Sequence, residues 1–179
     1  DGVDVDIEWN LLPYLGDTYN PFVLELMEAL HSRGKGITSA LGATDLHKAV
    51  GQEALEAYDF INVMVYDKTG IWRPNDIGPH SPYSYAEEAI KFWTEDKKIP
   101  ADRITLGVPF YGFDFAPPAR YISYKAIIKE DPLFAYQDSI GRRYYYNGIP
   151  TIVKKTQLAK NKLGGIMIWE IASDTVGDL

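Results

Sequence analysis

The sequence predicts an α/β fold organised around a parallel sheet, on three observations. Segments of strand character alternate with segments of helical periodicity along all 179 residues, and short strands separated by helical crossovers imply parallel pairing. The run Phe60 to Tyr66 is almost continuously apolar, as expected for a strand covered on both faces. The glycine-rich phosphate turn that usually follows the first strand of a doubly wound dinucleotide fold is missing. The other standard architecture is the eight-stranded α/β barrel.

The elements follow in order. Between Asp1 and Trp9, Val3, Val5 and Ile7 alternate with Asp4, Asp6 and Glu8, which is the period of a strand. Asn20 and Pro21 supply a cap and a first-turn proline for a helix from about Pro21 to Arg33, with Val23, Leu26, Met27 and Leu30 on its apolar stripe. An apolar stretch, Gly36 to Leu41, precedes a short helical segment at Gln52 to Ala57, and the strand Phe60 to Tyr66 follows. Ser84 and Glu87 form a capping-box pattern ahead of a helix whose inner stripe is Ala86, Ala89, Ile90 and Trp93. Ile104 to Tyr111 is the fourth strand. Beyond it the pattern loosens into Pro117-Pro118, a short helix near Ser123 to Lys129, and Tyr144 to Gly148 as a hairpin or turn. Thr151 caps a helix ending at Gly164, and Gly165 to Ile171 is the last of five strands. No repeat, linker or low-complexity tract divides residues 1–179, so one domain is expected.

Composition excludes several function classes. Hydrophobic residues at 46% and charged residues at 24% are neither disordered nor collagen-like. With 18 Lys+Arg against 25 Asp+Glu, a net charge of −7 and no basic cluster, nucleic acid is not an expected partner. The absence of Cys excludes disulfides, thiolate metal sites and cysteine nucleophiles. No apolar run approaches the ~20 residues of a membrane helix. His31, His47 and His80 are dispersed without ligand spacing, which fits surface or structural roles. The chain opens on a strand with no leader, so the expected start of the protein lies upstream.

The densest chemical signal is the acidic alternation. Asp4, Asp6 and Glu8 share one strand face at roughly 6–7 Å intervals, and if enclosed they cannot all ionise without repulsion. At least one proton is then held at neutral pH, the condition for general acid catalysis. A solvated edge face and a hard divalent cation held by oxygen ligands account for the same pattern. Glu8 lies at the carboxyl end of its strand, where active sites of barrels and open sheets sit.

Asp1-Gly2-Val3-Asp4-Val5-Asp6-Ile7-Glu8 resembles the D-G-x-D-x-D-x-E signature of glycoside hydrolase family 18, the chitinases and endo-β-N-acetylglucosaminidases. Met64-Val65-Tyr66-Asp67, Gly107-Val108-Pro109-Phe110-Tyr111-Gly112 and Gly164-Gly165-Ile166-Met167-Ile168-Trp169 resemble that family's sixth, seventh and eighth strands, in order. The resemblance implies a (β/α)8 TIM barrel, of which this chain holds about strand four to strand eight. A whole barrel takes ~250 residues. The chain is therefore expected to be the carboxyl-terminal part of a larger catalytic domain, also missing the last outer helix and exposing sheet edges when alone.

The resemblance also implies roles. Glu8 would protonate the leaving glycosidic oxygen and then activate water. Asp6 would orient the substrate's 2-acetamido group for attack on the anomeric carbon, a substrate-assisted route needing no protein nucleophile, and Asp4 would share a proton with Asp6. Tyr66 would stabilise the acetamido oxygen of an oxazolinium intermediate. Trp169 would floor the sugar site, with Asp67, Tyr111 and Met64 lining it and Trp72 as a further sugar platform. No cofactor and no metal are implied. The expected partner is an oligo- or polysaccharide containing N-acetylglucosamine, whether chitin, the N-glycan core or peptidoglycan, and the expected location is secreted, periplasmic or at the cell surface. Two departures stand out: Phe113 follows Gly112 where many chitinases carry Arg, and Phe113 to Pro150 is short for the sizeable α+β insertion of processive enzymes, which predicts an open groove. The main alternative is a non-catalytic chitinase-like lectin, whose usual mark is loss of the last acid of the signature; Glu8 is present. An unrelated metal enzyme using Asp4, Asp6 and Glu8 is the third reading.

Overall fold

The computed structural model describes residues 1–8, 10–73 and 75–175; Trp9, at the end of the predicted first strand, lies outside the described residues. In chain order the elements are β1 (Gly2–Val5), α1 (Leu12–Leu15), α2 (Tyr19–His31), β2 (Gly36–Gly42), α3 (Gln52–Ala57), β3 (Phe60–Met64), α4 (Tyr83–Lys91), β4 (Ile104–Pro109), β5 (Tyr111–Asp114), β6 (Arg120–Ser123), α5 (Tyr124–Glu130), β7 (Ser139–Ile140), β8 (Tyr144–Tyr145), α6 (Ile149–Lys162) and β9 (Gly165–Trp169). Strands β1, β2, β3, β4 and β9 form one sheet in that order, every neighbouring pair parallel. Sequential parallel strands joined by helical crossovers are the arrangement of a (β/α) barrel.

Side-chain parity divides this sheet. Val5, Ile37, Ile61, Val63, Ile104 and Leu106 are buried in one cluster with Val23 of α2, Leu55 of α3, Ala86 of α4 and Ala159 of α6, and with Trp93. The opposite parity carries Asp4, Thr38, Asn62 and Thr105, so the helices cover an apolar face and a polar one remains inside. Gly107 belongs to this inner parity: a β-carbon there would stand 3.1 Å from both Tyr66 Cε1 and Met167 Cε, so its absence makes room for both side chains.

Several element boundaries differ from expectation. Asn20 does not cap α2, which begins at Tyr19; its Oδ1 accepts from Gly51 N at 2.9 Å and ties α2 to the start of α3. The Ser84/Glu87 capping box does not form, because α4 starts directly after Pro82 and Ser84 already lies inside it. A wider helical turn, Phe92–Asp96, continues α4 and seats Trp93, whose Nε1 donates to Gly42 O at 3.1 Å. Thr151 is not the cap of α6. It sits in the first turn after Gly148, and Asp138 accepts from both Gly148 N (2.9 Å) and Thr151 Oγ1 (2.6 Å).

The larger correction concerns the segment after β4. The single predicted strand Ile104 to Tyr111 divides into β4 and β5, and residues 111–148 fold as an α+β insertion around an antiparallel sheet ordered β6-β5-β8-β7. Tyr144 and Tyr145 belong to β8; the β7–β8 turn runs through Gly141 at φ 58°, so Asn147-Gly148 leads into α6 and not around a hairpin. The insertion has its own core of Ile122, Tyr124, Ile127, Ile128, Ala135, Tyr144 and Tyr146. Buried Asp114 braces it, accepting from Arg143 Nε and Nη2, each at 3.0 Å. The short spacing thus accommodates an α+β unit after all, because a few two- to four-residue strands suffice to close a second sheet.

Candidate active site

The acidic row begins on β1. Asp4 Oδ1 accepts from Thr38 Oγ1 of β2 and, at 3.0 Å, from Asn62 Nδ2 of β3. Two residues on, burial and then the charge of Asp4 raise the Asp6 carboxyl above the usual aspartate range. Glu8 is raised likewise, by burial first and then by Asp6 and Asp67. Both groups are therefore biased toward holding a proton, as the spacing predicted. The backbone carbonyl of Glu8 accepts from Leu11 N and Leu12 N, at 2.9 and 3.0 Å, so the row ends where α1 begins.

Tyr66 follows β3 at the same end of the sheet and is buried. Burial raises its phenol, and so do the charges of Asp67, Asp6, Glu8 and Asp4, in that order; these four carboxyl groups and the Tyr66 ring therefore share one neighbourhood. Its hydroxyl donates to Met167 Sδ at 4.0 Å. Met64 and Met167 pack with Ile77 and Tyr145 around the buried aromatic cluster of Tyr66, Tyr111, Phe113 and Phe115. Tyr66 meets Tyr111 edge-on, with ring centroids 6.0 Å apart.

Asp67 adopts a left-handed backbone, φ 62°, a conformation that aspartate tolerates better than most residues. Its Oδ1 accepts from the buried Tyr111 hydroxyl and lies 3.5 Å from Nδ1 of His80. His80 is fully buried between the rings of Tyr111 and Phe113, each centroid 5.0 Å away. Burial pushes its imidazole below the ordinary histidine range. It is a neutral wedge behind Asp67, the structural role expected of it. His31 lies on the surface near Asp59, at 3.2 Å.

Trp169 ends β9 beside Pro109 of β4 and is 48% exposed; a cis peptide joins it to Glu170. Trp72 is also exposed and packs edge-on against Phe113 at 5.5 Å, where a β-carbon on Gly70 would collide with the indole. Aromatic faces of this kind accept the C–H faces of pyranose rings. Among the described residues no three His, Asp or Glu side chains are grouped as a metal site.

Several side chains at this site escaped sequence reading. Tyr121 of β6 stacks on Tyr111 with centroids 4.9 Å apart, and its hydroxyl meets Ser173 Oγ at 2.9 Å. It arrives through the β5–β6 register, which pairs it with Phe113, and such antiparallel pairing leaves no local motif. Asn62 was findable: it is the polar residue of the apolar run Phe60 to Val65 and shares parity with Met64 and Tyr66. Thr38 and Thr105 carry no comparable signal.

The family profile described as glycosyl hydrolases family 18 matches residues 1–174. Among solved structures, the GH18 chitinase ChiB from the chitin utilization locus of Flavobacterium johnsoniae superposes with a TM-score of 0.94 at 45% identity, over 99% of this chain and 56% of that one. A chitinase from Bacteroides thetaiotaomicron gives a TM-score of 0.82 at 29% identity, over 98% and 58%. Endochitinase 1 of Metarhizium robertsii is 26% identical over 226 residues, 99% of this chain and 53% of that protein. The chain thus spans about half the length of the relatives it matches. No helix among the described residues is long and apolar enough to cross a membrane.

Proposed function

Because the chain belongs to glycosyl hydrolases family 18, we propose that it carries the acid chemistry of an enzyme that cleaves β-1,4 linkages next to N-acetylglucosamine with retention of configuration. The observation that supports this most directly is the grouping of Asp6 and Glu8, both biased toward the protonated form, with Asp67 and the Tyr66 phenol. A carboxylic acid that keeps its proton near neutrality can deliver it to a leaving glycosidic oxygen. We assign that role to Glu8, which as a carboxylate then draws a proton from the attacking water.

Asp6 orients the 2-acetamido group so that its carbonyl oxygen attacks the anomeric carbon, and the Tyr66 hydroxyl steadies that oxygen as the oxazolinium forms. Asp4 shares the proton of the row with Asp6. Asp67, locked by Tyr111, contacts the sugar near its acetamido group, and its charge adds to the burial and the Asp6 charge that bias Glu8 toward its protonated form. Trp169 floors the site, Met64 and Tyr111 back it, and Trp72 offers a further platform. The substrate is a chitin-type or other N-acetylglucosamine glycan.

The test is Glu8→Gln in the protein at its natural length. Hydrolysis of N-acetylglucosamine oligomers should fall by roughly three orders of magnitude or more while the fold and oligomer binding persist, since the amide keeps the shape and loses the proton. Turnover at the unmodified rate would remove Glu8 from its role. Efficient cleavage of a cellulose oligomer, which has no acetamido carbonyl, would contradict substrate assistance.

A further inference from the structure

Two stretches of chain leave the carboxyl ends of the paired strands β4 and β9 side by side: Phe110, which leads into the insertion, and Glu170 to Ser173, which follows Trp169. The insertion that grows from the first is hydrogen-bonded to the second. Phe110 N donates to Trp169 O at 2.8 Å. Lys125 Nζ of α5 donates to Ala172 O at 2.6 Å, and the Tyr121 hydroxyl of β6 meets Ser173 Oγ at 2.9 Å. Ser173 is buried and its Oγ donates in turn to Glu170 Oε1 at 3.2 Å. Glu170 is the neighbour of Trp169, so the Tyr121 hydroxyl is tied through Ser173 to the residue next to the exposed indole.

The ring of Tyr121 has a different partner. The β5–β6 register sets Tyr121 opposite Phe113, and an aromatic side chain so placed reaches diagonally to the residue two positions along the facing strand, which is Tyr111. The two rings stack, 4.9 Å apart and 23° from parallel. Among the described residues, Tyr66, His80 and Phe113 meet Tyr111 edge-on or tilted, and Tyr121 alone lies against its face. Tyr111 carries the hydroxyl that Asp67 accepts. One side chain thus joins Tyr111 and Asp67, through its ring, to the segment that bears Trp169, through its hydroxyl.

We propose that Tyr121 is a positioning residue for sugar binding: it fixes the Trp169 floor relative to Tyr111 and Asp67, and so sets the spacing in which an N-acetylglucosamine ring is held. This rests on the proposed hydrolase reading, which supplies the sugar roles of Trp169 and Asp67. The two actions of Tyr121 are separable by substitution. Phenylalanine keeps the stack on Tyr111 and removes the bond to Ser173, whereas leucine removes both.

The experiment compares Tyr121→Phe, Ser173→Ala, the two together and Tyr121→Leu in the protein at its natural length. It reads kcat and KM on N-acetylglucosamine oligomers, and the Kd of the same oligomers by titration calorimetry with Glu8→Gln added so that the ligand stays intact. Tyr121→Phe should raise KM and Kd together by about three- to tenfold, the size of one lost hydrogen bond, with kcat within about twofold. Ser173→Ala should do the same, and the double variant should go beyond either single one by less than about twofold, because both remove one interaction. Tyr121→Leu should in addition lower kcat by about tenfold, since Tyr111 and Asp67 lose their support; should it fail to fold, Tyr121→Phe decides. A role confined to stability would lower the unfolding midpoint and leave KM and Kd where they were. An active wild type whose KM and Kd are unchanged in Tyr121→Phe, or shifts that simply add in the double variant, overturns the inference alone. A wild type that binds the oligomers without cleaving them, its Kd still raised by Tyr121→Phe, overturns the hydrolase reading and leaves the positioning role standing. A wild type that does not bind them removes both.

Discussion

Lys155 allows a quantitative stability prediction. Its Nζ is fully buried on α6 and donates to Ser81 O (2.7 Å), Ser81 Oγ (2.6 Å) and Asn147 Oδ1 (2.8 Å). Burial, opposed only by the charge of Asp138, pushes the ammonium down to about 7 from an ordinary 10.5. The unfolded chain therefore binds more protons than the fold between about pH 7 and pH 10, and stability must rise with pH across that window. Below the folded value both states are protonated and the slope vanishes. With these two values, linkage gives about 2 kcal/mol of added stability between pH 7 and pH 9. Urea unfolding at fixed ionic strength measures it directly. Lys155→Met should flatten the rise, whatever the absolute stability of the variant. A wild-type stability that is constant or falling from pH 7 to pH 9, or an unchanged slope in Lys155→Met, would refute the reasoning.

Two further outcomes are expected. Asp67 helps keep Glu8 protonated, so Asp67→Asn should move the alkaline limb of the hydrolytic pH profile to lower pH; an unmoved or raised limb, read from kcat/KM against pH, contradicts that coupling. Asp114 is 2% exposed, and although burial acts in the opposite sense, hydrogen bonds from Arg143 and Ala116 N hold its carboxyl below the usual range. Asp114→Ala should cost about 2–3 kcal/mol in urea unfolding at neutral pH. Because the folded value is depressed, that stabilisation is present above the unfolded pKa of about 4 and disappears as pH falls through the folded value, so the wild-type and Asp114→Ala curves should converge in acid.

What the sequence disclosed depended on whether the relevant physics was local. Phe60 to Tyr66, with both faces covered, and the alternation of Val3, Val5 and Ile7 with the acids each carry their period in consecutive residues; β3 appears where expected, while β1 begins there but ends at Val5, so that Asp6 and Glu8 follow the strand and do not lie on it. The places of the acids, Tyr66 and Trp169 were legible for the same reason: each lies at, or just beyond, the carboxyl end of a strand with a recognisable pattern. Caps failed where a distant partner decided the matter. Asn20 turns to Gly51, 31 positions away, and Asp138 collects the donors at the start of α6. The insertion was hidden because β7 and β8 are two residues each, too short for any periodicity, and the seating of Tyr121 over Tyr111 exists only through antiparallel register.

The insertion departs from the barrel after Pro109 and returns at Ile149, and it folds around its own apolar centre while lending Tyr111, Phe113 and Tyr121 to the cleft. Its outer hairpin can consequently be lengthened or trimmed without disturbing β1, which bears Asp4, or the segment after it, which bears Asp6 and Glu8. Variation there would reshape the wall that Tyr111, Phe113 and Tyr121 build and leave the parallel sheet as it is: a scaffold whose two halves can evolve separately.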